Sequence, residues 1–225
     1  MTVLHSFTPA TTVADLAVQF AGASRVLHQH RLDFCCHGHV SMQEACEKAG
    51  LDAQVILKEI EQAAPTDPNF EVWNKHALPE LIDHLLLNFH EAHRAEVPRL
   101  IAMAHKVESV HGEKETCPKG LAAHLEFMHQ ELESHMQKEE EVLFPLIRSG
   151  RGAMAVMPVQ VLEQEHQDHG QNLARLREFA HDFQAPEEAC GTWRALYLGL
   201  AELERDLMNH IHLENNILFP RALRS

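Results

Sequence analysis

The chain has 225 residues, 45% apolar and 23% charged, which suits a globular protein of one large domain or a small domain joined to a medium one. Nineteen Lys and Arg against 33 Asp and Glu leave a formal charge of −14, which repels nucleic acid and anionic membrane, and there is no basic stripe or arm. The opening MTVLHSFTPATT lacks the basic start and apolar core of an export signal, and no segment approaches a membrane span. A cytoplasmic protein is therefore expected, with no nucleic-acid and no membrane partner, whose five cysteines stay as thiols rather than forming a disulfide framework. One count stands out: nineteen histidines, more than Gly or Pro at ten each, spread along the chain rather than gathered in a run.

Residues 1–64 read as a small domain of short helices. Thr12 can cap VADLAVQFAGASRVL, and Ser41 can cap the next helix, with Glu44 at its third position and Gly50 at its end. LDAQVILKEIEQ is a further short amphipathic helix. Between them lies RLDFCCHGHV, with the vicinal pair Cys35 and Cys36. A linker follows at 65–76, where Pro65 and Pro68 act as breakers.

From residue 77 to 225 the pattern is four long amphipathic helices, expected near 77–111, 118–149, 157–183 and 188–216. Gly112, the Gly150/Gly152 pair and Gln184-Ala185-Pro186 supply the stops, and Pro98 is expected to kink the first helix. No run alternates long enough to be a strand. The fold class is thus all-α, an up-down four-helix bundle behind a small N-terminal helical domain.

An internal repeat carries the chemistry. HMQKEEEVLFP begins at His135 and HIHLENNILFP at His210; each holds H-x-x-x-E followed by Leu-Phe-Pro. The preceding helices match as well, through His90-x-x-His93 and His166-x-x-His169. The offsets are 76 and 75 residues, which marks a duplicated helical hairpin. Positions i and i+4 share a helix face, so His135 with Glu139, and His210 with Glu214, can both point to the bundle axis, with His90 and His166 approaching from the other two helices. Carboxylate-bridged metal pairs are built from inward side chains on facing helices in this way. Two imidazoles per ion with both glutamates bridging make four protein ligands each; an oxide or hydroxide bridge makes five and leaves room for a small molecule. Mixed nitrogen and oxygen donors suit iron and tolerate manganese or zinc. His93 and His169, three residues on, are the substitutes should the other face be the inner one. His84 and His129 fit packing or support of the ligands, His111 the site's edge or a helix cap, and His212, among others, a surface or structural place.

The tandem H…H-x-x-x-E hairpins resemble the hemerythrin-like, or HHE cation-binding, domain. Together with DFCCHGH, IDHLLLNFHEAHR, VPRL, VESVH, EQEH and DLMNHIHLENNILFPRAL, nearly the whole chain resembles the bacterial di-iron proteins for repair of iron centres. That resemblance implies iron ligands at His90, His135, Glu139, His166, His210 and Glu214, and a role in repairing iron–sulfur clusters under nitrosative and oxidative stress. It also implies a cofactor of two Fe ions, damaged iron–sulfur proteins and a small diatomic ligand such as NO or O2 as partners, and a homodimer as one assembly open to the chain. The resemblance leaves NO reduction, NO capture and iron donation open as the chemistry. Where Gly-Gly is expected after the cysteine pair, this chain has His37-Gly38-His39, which adds a metal-binding option there.

Two other functions compete. A hemerythrin-type oxygen or NO carrier or sensor would have H-x-x-x-H on one helix, whereas the residues four after His166 and His90 are Gly170 and Arg94. Iron storage or a metal-stabilised interaction module would leave Cys35 and Cys36 unexplained. These two are expected to be the working thiols, with Arg31, His37 and His39 lowering the thiol pKa and a strained disulfide open to them. On its Pro-bearing linker, the segment 1–64 is expected to swing.

Overall fold

The computed structural model describes residues 7–20, 22–63 and 73–225. The linker prolines Pro65 and Pro68 lie outside the described residues. The chain is all-α; Thr12 and Ser41 form an isolated antiparallel bridge, and no strand is found among the described residues. It divides into two compact units, one of Met1–Leu81 with Met208–Arg221, the other of Ile82–Leu207 with Ala222–Ser225.

In the first unit, α1 (Val13–Gln19), α2 (Ala23–Gln29), α3 (Met42–Ala49) and α4 (Ala53–Ala63) pack around Leu16, Leu27, Phe34, Met42, Ile56 and Ile60. Complete burial of such side chains contributes roughly 1.5–3 kcal/mol each. The expected caps are present. Thr12 Oγ1 accepts from the Asp15 amide at 3.1 Å and Ser41 Oγ from the Glu44 amide at 3.2 Å, while Gly50 closes α3 at φ +70°. The loop between α2 and α3 folds back on α1, with the Ala14 amide donating to the Gly38 carbonyl at 2.8 Å. A Cβ at Gly38 would lie 2.8 Å from the Phe34 carbonyl and 2.9 Å from Ala14 Cβ, so the residue between His37 and His39 must be glycine.

The second unit is the helical bundle. α5 (Leu78–Leu85) enters it and runs into α6 (Glu91–His111), which pairs with α7 (Leu121–Lys138); α8 (Phe144–Arg148) extends α7. α9 (Val156–Phe179) lies against α7, and the first turns of α10 (Gly191–Leu213), as far as Leu207, complete the unit. Val97, Leu125, Met128, Leu132, Leu203 and Leu207 from these helices face a common interior. Gly199 lets α10 approach α6 closely, since a Cβ there would meet Leu100 Cδ2 at 2.6 Å. Arg177 donates from Nε and Nη2 to the buried carboxylate of Glu204, both at 2.5 Å, and so ties α9 to α10.

The expected helix bounds hold within a few residues except at two ends. The third helix stops at Phe179, where His181, Asp182 and Phe183 turn to positive φ. The fourth runs on past residue 216 through α11 (Phe219–Ala222). The repeat pattern did not anticipate three π-helical turns, Leu86–His90, Glu139–Leu143 and Glu214–Leu218. The Leu-Phe-Pro of each copy explains two of them. Pro145 and Pro220 follow directly, in the first turn of the next helical segment, where a missing N–H costs least. α6 continues through Pro98, and a π turn precedes it at Leu86–His90.

Candidate metal centre

The three π turns coincide with three of the expected ligands: His90 ends the first, Glu139 begins the second and Glu214 begins the third. A π turn widens the helix by one residue, rotates the side chains beyond it, and occurs often at functional sites. The second and third turns hold an expected ligand and the following Phe-Pro in one helical rod.

Within the bundle unit, His90, His135, Glu139 and His166 are all buried to 1% exposure or less. Their Nε2 atoms and the Glu139 carboxylate converge. His90 Nε2 lies 3.4 Å from Glu139 Oε2, His135 Nε2 3.6 Å from the same oxygen, and His166 Nε2 3.0 Å from His135 Nε2. Donors about 2.1 Å from one ion and 90–110° apart are themselves roughly 3.0–3.5 Å apart, so these spacings are those of a coordination shell. In the other unit, His210 Nε2 and Glu214 Oε1 are 3.0 Å apart, both buried. Burying carboxylates at 0% exposure costs several kcal/mol each unless a cation or hydrogen bonds compensate. The donor chemistry therefore fits a metal ion.

The outer nitrogens explain why Nε2 faces inward. His90 Nδ1 donates to Glu140 Oε1 at 2.8 Å, and Arg94 Nη1 donates to the same oxygen at 2.8 Å. His135 Nδ1 donates to Glu165 Oε2 at 2.9 Å, and Lys138 pairs with the other Glu165 oxygen. The His135 hydrogen bond, helped by Lys138 and opposed by partial burial, holds the Glu165 carboxyl down to about 2. Such carboxylates fix the tautomer and raise the basicity of the ligating nitrogen. Glu140, Glu165 and Arg94 carry no mark in the H-x-x-x-E spacing. One signal was available: in the two copies Glu140 aligns with Asn215 and Glu165 with Phe89, so these positions differ where the ligands agree. His93 and His169 are buried too, and the His169 ring stands edge-on to His135 at 5.0 Å. His111 lies elsewhere, its Nε2 3.2 Å from Cys190 Sγ.

Cys35 is buried and Cys36 half-buried, with sulfurs 3.5 Å apart. Asp33 Oδ1 accepts from the amides of Cys35 and Cys36, at 3.0 and 2.9 Å, and from the Cys35 thiol at 3.4 Å. The expected lowering of the thiol pKa is not found at Cys35, whose thiol is pushed well up. The hydrogen bond to Cys36 is the first cause, then burial, then the neighbouring charges of Cys36 and Asp33. His37 gives its Nδ1 hydrogen to Asp33 Oδ2 at 2.7 Å. The two residues that follow Glu214 hold carbonyls of this loop. Asn215 Nδ2 donates to the Cys35 carbonyl at 2.9 Å and Asn216 Nδ2 to the Phe34 carbonyl at 3.0 Å. Asn216 Nδ2 also lies 2.8 Å from Nδ1 of His212, a residue that burial holds in its neutral form with a pKa lowered to about 4.

The hemerythrin HHE cation-binding domain model matches residues 81–222, a span that takes in all six expected ligands. The chain belongs to that family. A domain of unknown function, DUF542, matches residues 9–64. The iron-sulfur cluster repair protein YtfE of Yersinia pseudotuberculosis serotype IB (strain PB1/+) is 46% identical over 210 residues, covering 93% of this chain and 95% of the relative. YtfE of Yersinia pestis (strain Pestoides F) matches at the same identity and coverage. No helix among the described residues is long and apolar enough to cross a membrane.

Proposed function

We propose that this protein repairs iron–sulfur clusters damaged by nitrosative or oxidative stress, through a di-iron centre held by His90, His135, Glu139, His166, His210 and Glu214. The observation that carries the proposal is 46% identity across 93% of the chain to proteins named for iron–sulfur cluster repair. The duplicated hairpin supports two ions rather than one, because each copy brings its own histidine pair and one carboxylate able to bridge. When bound, the iron pair would supply both a position for a small diatomic ligand, NO or O2, and iron for a damaged cluster.

The chain's own residues set the conditions for that chemistry. Glu140 and Glu165 orient the imidazoles, and the buried Phe144 ring excludes water beside His90. Cys35 and Cys36 are the working thiols toward damaged iron–sulfur proteins. The oxygen-carrier alternative loses further ground because Arg94, four residues after His90, is engaged by Glu133 and Glu140.

The test is reconstitution. Protein from iron-replete cells should carry about two irons per chain with an oxo-bridge absorption when oxidised, and should restore an NO-damaged [4Fe–4S] dehydratase. Iron-loaded protein that restores no activity, or that binds and releases oxygen rapidly and reversibly, would overturn the repair function.

A further inference from the structure

We propose that Asp33, Cys35 and Cys36 form a second metal site, for one thiophilic divalent cation of the zinc and iron(II) class, made by residues distinct from the six bundle ligands. It extends the role given above to the two thiols, and names what they hold.

The three donor atoms lie within 4.8 Å of one another. Metal–thiolate bonds of about 2.3 Å to two sulfurs 3.5 Å apart subtend roughly 100° at the ion. Cys35 Sγ and Asp33 Oδ1, 3.4 Å apart, subtend about the same angle with a metal–oxygen bond of about 2.1 Å. Both angles approach the tetrahedral value. A disulfide, by contrast, needs the sulfurs to close to about 2.05 Å.

The loop that carries these donors is set in advance. Gly38 is pressed against Ala14 and the Phe34 carbonyl, while Asn215 and Asn216 grip the carbonyls of Cys35 and Phe34. Three acidic groups share this small volume. A divalent cation replaces both thiol protons: M²⁺ and two R–SH give M(SR)₂ and two H⁺, with the Asp33 carboxylate as third ligand. His37, bonded to Asp33 Oδ2, is a positioning residue for that carboxylate. With three protein donors the ion keeps one open position, as in catalytic rather than closed structural sites.

The experiment titrates the iron-loaded full chain with cadmium, a spectroscopic stand-in for zinc. One ion per chain should raise a sulfur-to-cadmium charge-transfer band, release about two protons and be displaced by zinc, with bundle iron unchanged. Cys36→Ser and the double variant Cys35→Ser, Cys36→Ser should abolish the band and keep the iron. Asp33→Asn should weaken binding by about tenfold or more, and His37→Ala by less. Absence of the band in the wild type, or its survival in Cys36→Ser, overturns the site. Iron counted before titration judges the bundle ligands separately: a chain without iron that still shows the band would retain this site and lose the di-iron centre.

Discussion

Asn215 directly follows Glu214 in the chain, and its side-chain amide holds the carbonyl of Cys35 at 2.9 Å. One helical segment thus carries a proposed metal ligand and the clamp on the cysteine loop. Asn215→Ala should free that loop while leaving iron content unchanged. The stability cost should be about 1 kcal/mol for a lost hydrogen bond. Alkylation of Cys35 and Cys36, followed by mass spectrometry, should become several-fold faster, and an unchanged rate would mean that the clamp does not govern access.

Glu140 and Glu165 hold the outer nitrogens of His90 and His135, so their isosteric amides test orientation without removing a ligand. Glu140→Gln and Glu165→Gln should each keep the fold and lower iron retention by about 10–100-fold. Competition with a chelator measures this directly. Full retention in both would show that ring orientation comes from packing alone.

Replacing Glu139 or Glu214 by alanine removes a carboxylate proposed to bridge the two irons. Each variant should lose most of its iron and the absorption of the oxidised pair. Metal analysis beside the visible spectrum decides the matter: two variants with wild-type iron and an unchanged spectrum would leave the ligand assignment wrong.

Metal removal should lower the melting temperature, since buried carboxylates and imidazoles then lose the cation that compensates them. The N-terminal helices should share the effect. Met208–Arg221, which bears His210 and Glu214, belongs to the same compact unit as α1–α4, and the π turn from Glu214 packs on α1. Hydrogen exchange in α1 should therefore accelerate in the metal-free protein. Protection there independent of iron would show the two to be uncoupled.

The helices and the candidate ligands were legible from the chain because their signals are local or repeated. Thr12, Ser41 and Gly50 act within one turn of themselves, and an H-x-x-x-E spacing sets its two side chains on one face wherever the helix goes. The duplicated hairpin did more: two copies agreeing at His135/Glu139 and His210/Glu214 separate function from drift.

What only the tertiary structure decided depends on partners distant in sequence. Glu165 holds His135 from 30 residues away and Glu140 holds His90 from 50, and no local pattern pairs them. Asn215 reaches the Cys35 carbonyl across 180 residues, a pairing that no local pattern marks. The thiol's direction of shift was misjudged for the same reason: nearby Arg31, His37 and His39 suggested positive charge. Folding instead places Cys35 against a second thiol and the Asp33 carboxylate, where the hydrogen bond to Cys36 and then burial beside like charges favour the neutral form.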